Sequence, residues 1–263
     1  QAVVRFFARI FYRLLALSGV ESLSAAANIF VGIESSLTIR PYLMKMTRSE
    51  LLTLMTCMMA TVASTVMGIY VIALHDIFPE IAGHLVSASL ISIPCAVIAS
   101  KLSLPEQEIP ETLKKLPKTD NDTHRPENFM VALVEGGAQG VKMAAGIATV
   151  LIVILGLEAL VDLTLAEVLG KNFSLQNLLG WLTLPFSALL GLQHEEWQLA
   201  GKILGSRFVE TEVSAYFALA AAQVADPAPF TQRSATILTY ALCGFVHFAS
   251  MGIFIGGLAT LVP

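Results

Sequence analysis

Apolar residues run through this chain in long stretches, and what divides them is short polar punctuation. From Glu21 to Arg48, ESLSAAANIFVGIESSLTIRPYLMKMTR, an apolar arm leads to a polar tip at Asn28, Gly32, Glu34, Ser35 and Ser36. A second apolar arm follows, then a basic exit at Arg40, Lys45 and Arg48. A bilayer span takes about 20 apolar residues, and neither arm is that long. The pattern predicts a re-entrant hairpin with a carboxylate at its turn. Irregular backbone at membrane depth is tolerated only inside protein or beside a wet cavity, and a carboxylate there is a functional candidate by default. A turn between two amphipathic helices in water is the plain alternative.

Before the hairpin, residues 1–20 carry Arg5, Arg9 and Arg13 at steps of four, one basic stripe on an apolar helix. That spacing favours a helix lying in the membrane interface over the end of a spanning helix. After it, Leu51 to Leu74 is long enough to span, but its middle, Ala60 to Gly68, is rich in small and hydroxyl residues. Close helix packing and local unwinding that frees carbonyls for an ion explain that composition equally well. Ile81 to Leu102 is a second span. Pro105 to Asn128, with four prolines and many charges, is a polar loop. A short amphipathic segment from Asn128 to Gly140 and a third span from Val141 to Leu163 are expected next. Leu175 to Leu192, interrupted by Gly180, Pro185 and Gly191, is expected as an interfacial or broken span.

Lysine and arginine orient these elements. Arg40, Lys45 and Arg48 lie on one side, and Lys101, Lys114, Lys115, Lys118 and Arg125 return to it two spans later. The loop from His75 to Glu80 has neither residue, so the basic loops are cytoplasmic and the hairpin enters from the cytoplasm. The second half then repeats the first from the other side. Glu196 to Ala222 is another apolar hairpin, with Glu210, Thr211 and Glu212 at its turn. Arg233-Ser234 opens a new apolar run, as Arg48-Ser49 did. Two such units form an inverted repeat, whose substrate and ion sites lie near the midplane where the hairpin tips meet. The expected fold is an all-α polytopic membrane protein, an inverted repeat of re-entrant helical hairpins and broken transmembrane helices. Its expected parts are an interfacial helix at 1–20, a first repeat at 21–103 and a cytoplasmic loop with amphipathic helix at 104–140. A scaffold helix with interfacial segment at 141–192 and a second repeat at 193–263 complete it.

Composition agrees. Of 263 residues, 55% are hydrophobic and 14% charged, against about 25% charged in soluble domains, and the mean hydropathy is +0.71. A net charge of −4 gives no reason to invoke nucleic acid. Cys57, Cys95 and Cys243 sit far apart in apolar runs and are expected as free thiols. His194-Glu195-Glu196-Trp197-Gln198 begins like a zinc-protease motif but ends in Gln, so the second metal ligand is absent. Glu135 to Gly140 is glycine-rich without the spacing of a phosphate loop. His84 is expected to satisfy a local hydrogen bond. The chain opens on Gln1 and stops abruptly at Pro263, which reads as a piece of something longer.

The motifs ESLSAAANIFVG, IRPYL, MTRSEL, ATVAS, LGSRFVETEVSAY and ATILTYALCGF closely resemble the concentrative nucleoside transporter family, over nearly the whole chain. The resemblance implies a homotrimer in which a unit of two hairpins and two broken helices moves against a scaffold. It implies a core lacking the first and last transmembrane spans, in a bacterial inner membrane. It also implies a sodium site at Asn28, Val31, Thr61 and Val62, whose oxygens suit a hard monovalent cation. The nucleoside site it implies is Gly32, Glu34, Val66, Glu212, Phe245, His247 and Ser250. There Glu212 would accept hydrogen bonds from ribose hydroxyls, Glu34 would act near the base and Phe245 would pack on the substrate.

Two positions depart from the family. Its first tip reads Gly-Gln-Thr/Ser-Glu where this chain has Gly32-Ile33-Glu34, one residue shorter and without the amide. In the second broken helix Phe-x-Asn-Phe becomes Phe245-Val246-His247-Phe248. His247 is expected as a neutral hydrogen-bond partner or as a proton-coupling group. The expected function is sodium-coupled import of a nucleoside-like solute by alternating access, with no enzyme activity and no cofactor. A proton-coupled carrier of another hydroxylated solute, or a membrane sensor that binds without transporting, are the alternatives.

Overall fold

The computed structural model describes residues 2–32, 35, 39, 42–76, 78–113, 128–170, 173–244 and 247–261. All regular structure among them is helical. The basic helix α1 (Ala2–Leu14) exposes Arg5, Arg9 and Arg13 and buries Ala8 and Phe11 against the rest of the chain. Next comes α2 (Gly19–Asn28), the first arm of the first hairpin, buried along its whole length. Ser18 and Glu21 close a reciprocal cap at its start, and Thr47 and Glu50 do the same for α3 (Arg48–Ala60). Most of the second arm of that hairpin lies outside the described residues.

The hydroxyl-rich run is where the helix opens. Thr61 and Ala63 are extended (φ −114°, ψ 160° and φ −59°, ψ 139°), and α4 (Ser64–Leu74) starts anew. Unwinding, not helix packing alone, accounts for that composition. The span α5 (Ile81–Ser103) follows. The expected amphipathic segment and third span are one continuous helix, α6 (Phe129–Leu169), capped by Asn128. Gly136, Gly137 and Gly140 do not break it: a lone glycine costs a helix only about 1 kcal/mol relative to alanine. At about 1.5 Å per residue, its 41 residues reach about 60 Å, twice the thickness of a hydrocarbon core. α5 and α6 are the two described helices long and apolar enough to cross a bilayer.

The second half runs α7 (Leu175–Leu189), a 3-10 turn (His194–Glu196), α8 (Trp197–Val209), α9 (Glu212–Val224), α10 (Gln232–Leu242) and α11 (Phe248–Leu261). Helices α8 and α9 are the arms of the second hairpin. The helices α10 and α11 are the halves of a second broken helix. Two cores result, and each mixes the two halves of the chain. One joins α4, the start of α5, the second hairpin and α10 through Tyr70, Leu85, Leu204, Tyr216 and Leu238. The other joins α1, the first hairpin, α3, the end of α5 and Phe254 of α11. Each broken helix therefore has one half in each core, and the breaks fall between.

Candidate substrate site

The two breaks touch. Gly244 ends α10 with φ +122°, a conformation that favours glycine, and a Cβ there would stand 3.0 Å from the Ala60 carbonyl oxygen and 3.1 Å from that of Met59. So the second break packs directly on the last carbonyls of α3. Carbonyls freed at the end of α10 need donors, and Arg207 of α8 supplies them. Its guanidinium donates to the carbonyls of Ala241, Cys243 and Gly244, the last at 3.1 Å. Arg207 is buried, and a cation at a helix C-terminus also complements the helix dipole.

Glu212 sits at this junction because of how the second hairpin turns. Only Glu210 and Thr211 separate α8 from α9. Thr211 caps α9 by accepting from the Ser214 N–H, which leaves Glu212 as the first helical residue. Its carboxylate is 4% exposed and meets both broken helices. Tyr70 of α4 donates its hydroxyl to Oε1 at 2.8 Å. His247, just before α11, brings Nε2 to 3.0 Å from Oε2. That approach is within ion-pair range, yet Oε2 accepts no hydrogen bond of regular geometry.

The tautomer of His247 follows from its other nitrogen. Nδ1 accepts from the Ser250 N–H at 3.1 Å, and the His247 N–H donates to Ser250 Oγ at 3.2 Å. Together they form a reciprocal cap on the start of α11. An Nδ1 that accepts carries no hydrogen, so the ring proton is on Nε2, facing Glu212. Ser250 Oγ also donates to the His247 carbonyl at 2.8 Å. Ser250 thus stands beside the site and braces it.

The tip of the first hairpin meets the first break. Phe30 and Val31 turn back on the Ala27 carbonyl, and Ser64 of α4 donates to the Phe30 carbonyl at 2.8 Å. Asn28, Thr61 and Val62 are buried there, while Val31 is 42% exposed. Thr61 donates to the Cys57 carbonyl at 3.0 Å, leaving its oxygen free to accept. Asn28 accepts from Ser35 and leaves its Nδ2 unpaired and buried. An amide's two ends are interchangeable by a flip, so this side chain can present oxygen to a cation. Gly32 is buried and Val66 half-buried. Glu34 and Phe245 lie outside the described residues.

Three residues of the junction were not picked out from the sequence: Tyr70, Tyr216 and Arg207. Tyr70 and Tyr216 stack at 4.4 Å between ring centroids, and the Tyr216 hydroxyl donates to the Thr239 carbonyl at 2.8 Å. A tyrosine in an apolar run is a weak signal. Arg207, an ionisable group inside a hairpin, is a stronger one. His84 bonds Tyr240, 156 residues away, not a local group. Among the described residues no cluster of histidine, cysteine, aspartate or glutamate is arranged to hold a metal, and Glu196 of the zinc-like motif is a cap.

A profile of the family described as "Na+ dependent nucleoside transporter C-terminus" matches residues 84–263. The chain belongs to that family. Its members are transporters, not enzymes, and the chain is a piece of an integral membrane protein. An uncharacterized transporter of Haemophilus influenzae is 33% identical over 100% of the chain and 63% of its own length. Sodium/nucleoside cotransporter 1 of Rattus norvegicus is 35% identical over 94% of the chain and 40% of its own. Among solved structures, CNTnw in an inward-facing substrate-bound state superposes with a TM-score of 0.79 at 30% identity, over 100% of this chain and 62% of that one. CNTnw in an intermediate state superposes with a TM-score of 0.87 at 29% identity, over 100% of this chain and 63% of that one. The chain therefore spans less than two thirds of the length of these relatives.

Proposed function

We propose that this chain is the core of a sodium-coupled carrier that imports nucleosides, or a close nucleoside-like solute, by alternating access. What supports this most is the Glu212 carboxylate, buried where the second hairpin meets both broken helices, with Tyr70 on one oxygen and His247 against the other. Each ionised oxygen keeps a further acceptor position, and two hydroxyls on neighbouring carbons of a sugar fit that pair. Charge-assisted bonds of this kind contribute about 1.5–3 kcal/mol each. In this reading Gly32, Glu34, Val66, Phe245 and His247 line the rest of the solute site, with Ser250 holding His247 in place.

Sodium is the second cargo. Asn28, Val31, Thr61 and Val62 offer amide, carbonyl and hydroxyl oxygens at the first tip and first break. Ion binding there favours the tip conformation competent for solute, which is coupling by population shift. With its N–H and Nδ1 both engaged in the cap of α11, His247 is read here as a fixed hydrogen-bond partner beside Glu212. The two hairpins and broken helices form the moving unit. The scaffold includes α6, none of whose described residues is fully buried within the chain, which suits a trimer contact or lipid. We place the carrier in a bacterial inner membrane, as a homotrimer.

The test is uptake of labelled uridine and adenosine into vesicles by the full-length protein, under a sodium gradient and then a proton gradient. Sodium-driven uptake is expected, and Glu212→Gln should abolish it with the protein still folded. Normal uptake by Glu212→Gln would remove this carboxylate from the site.

A further inference from the structure

A carboxylate is a poor selector of hydroxyls unless something holds its plane. The terminal torsion of glutamate is broad, so one fixed contact leaves the group free to pivot. At Glu212 the oxygens face groups from opposite halves of the chain. His247 stands against Oε2, and Tyr70 donates to Oε1 at 2.8 Å. Of the two, Tyr70 makes the regular hydrogen bond. Its ring is 0% exposed and lies against that of Tyr216, also 0% exposed, with planes 23° apart. Tyr216 is itself tied to the Thr239 carbonyl of α10. The Tyr70 hydroxyl therefore has one direction in which to place its single hydrogen, and that direction is Oε1.

We infer that Tyr70 is a positioning residue for substrate recognition: it fixes the Glu212 carboxylate so that the remaining lone pairs of its two oxygens receive adjacent sugar hydroxyls together. Each ionised oxygen has two acceptor sites. Tyr70 fills one on Oε1 and sets the plane, and with it the direction of the rest. Without it, Glu212 keeps its charge and its place but turns to suit whatever donor arrives. What is lost is the distinction between a solute with both hydroxyls and one lacking a hydroxyl. This rests on the reading that Glu212 binds the solute.

The experiment measures Vmax/KM for uridine and for 3′-deoxyuridine in vesicles, using the full-length protein and its Tyr70→Phe, Tyr216→Phe and Glu212→Gln variants. Phenylalanine keeps the stacked ring and removes only the hydroxyl. Tyr70→Phe should cut the preference for uridine over 3′-deoxyuridine about tenfold, the effect of one net hydrogen bond, through a higher KM for uridine at an unchanged Vmax. Tyr216→Phe keeps the stacked ring and the Tyr70 hydroxyl but loses the tie to Thr239, so it should lower that ratio by less than Tyr70→Phe does. A ratio unchanged in Tyr70→Phe, with Glu212→Gln inactive, overturns the role of Tyr70 and leaves Glu212 in the site. Normal uptake by Glu212→Gln overturns both. Should Tyr70→Phe fail to fold, Tyr70→3-fluorotyrosine keeps the ring and strengthens the donor. The ratio should then shift in the other direction, and an unchanged ratio counts against the role.

Discussion

At the root of the first hairpin, Glu21 accepts from the Ser18 N–H at 2.9 Å and from Lys101 Nζ at 2.7 Å; Lys101 also donates to Ser49 of α3 at 2.9 Å. At the root of the second, Glu196 accepts from the Gln193 N–H at 3.0 Å, the Thr231 N–H at 2.8 Å and Ser234 Oγ at 2.6 Å. The two glutamates hold the same place in their repeats. Each caps the first arm of its hairpin and ties it to the start of the following broken helix. The second root does this directly, with neutral donors from the cap of α10. The first recruits a cation from a third helix, α5, to bridge the distance. One root thus depends on a part-buried ion pair and the other on hydrogen bonds alone, and the two should fail differently.

The largest effect is expected from Lys101→Met. It leaves Glu21, 2% exposed, without its counter-charge; breaking a fully buried pair costs about 3–5 kcal/mol, and with Lys101 26% exposed the loss should fall at or below the lower end of that range. Adding Glu21→Gln should restore most of that, because the penalty is the stranded charge and not the lost bond. Thermal unfolding in detergent measures both, and a double variant no better than Lys101→Met would show that the pair is not what ties this root. A smaller loss, about 1.5–3 kcal/mol by the same measurement, is expected from Glu196→Gln, which weakens charge-assisted bonds without stranding a charge. An equal loss at the two roots would erase the distinction between them.

The smallest effect is one of pH. Burial pushes the Glu196 carboxyl up, but the bonds from Ser234, Thr231 and Gln193 outweigh it and hold the carboxyl below its ordinary range. A carboxylate depressed on folding adds stability that is fully present above its unfolded value, about 4.3, and lost as pH falls through the folded value. The unfolding temperature should therefore drop on acidification below about pH 4, and by less in Glu196→Gln. Equal pH dependence in the two proteins would deny Glu196 this part.

Much of this is local chemistry. The two hairpins show as apolar arms shorter than a span, and the first break shows as a run of small and hydroxyl residues. The caps at Ser18 and Thr47 sit three residues before Glu21 and Glu50, a spacing that is itself the signal. Glu212 stands out as a carboxylate in an apolar hairpin, and its likeness to the family assigned it a role. Lys101 was legible only as one of several basic residues, without its partner.

What the sequence by itself determined is therefore whatever depends on near neighbours: which stretches are helical, where they are capped and where they open. Tertiary structure decided the partners. Tyr70 reaches Glu212 across 142 residues, Lys101 reaches Glu21 across 80 and Arg207 caps Cys243 across 36. It also decided that α6 is one helix, since glycines that permit a break do not compel one. A buried donor must find an acceptor, and that need is written in the residue. Which acceptor it finds depends on how the two halves of the chain pack, and no local pattern carries that.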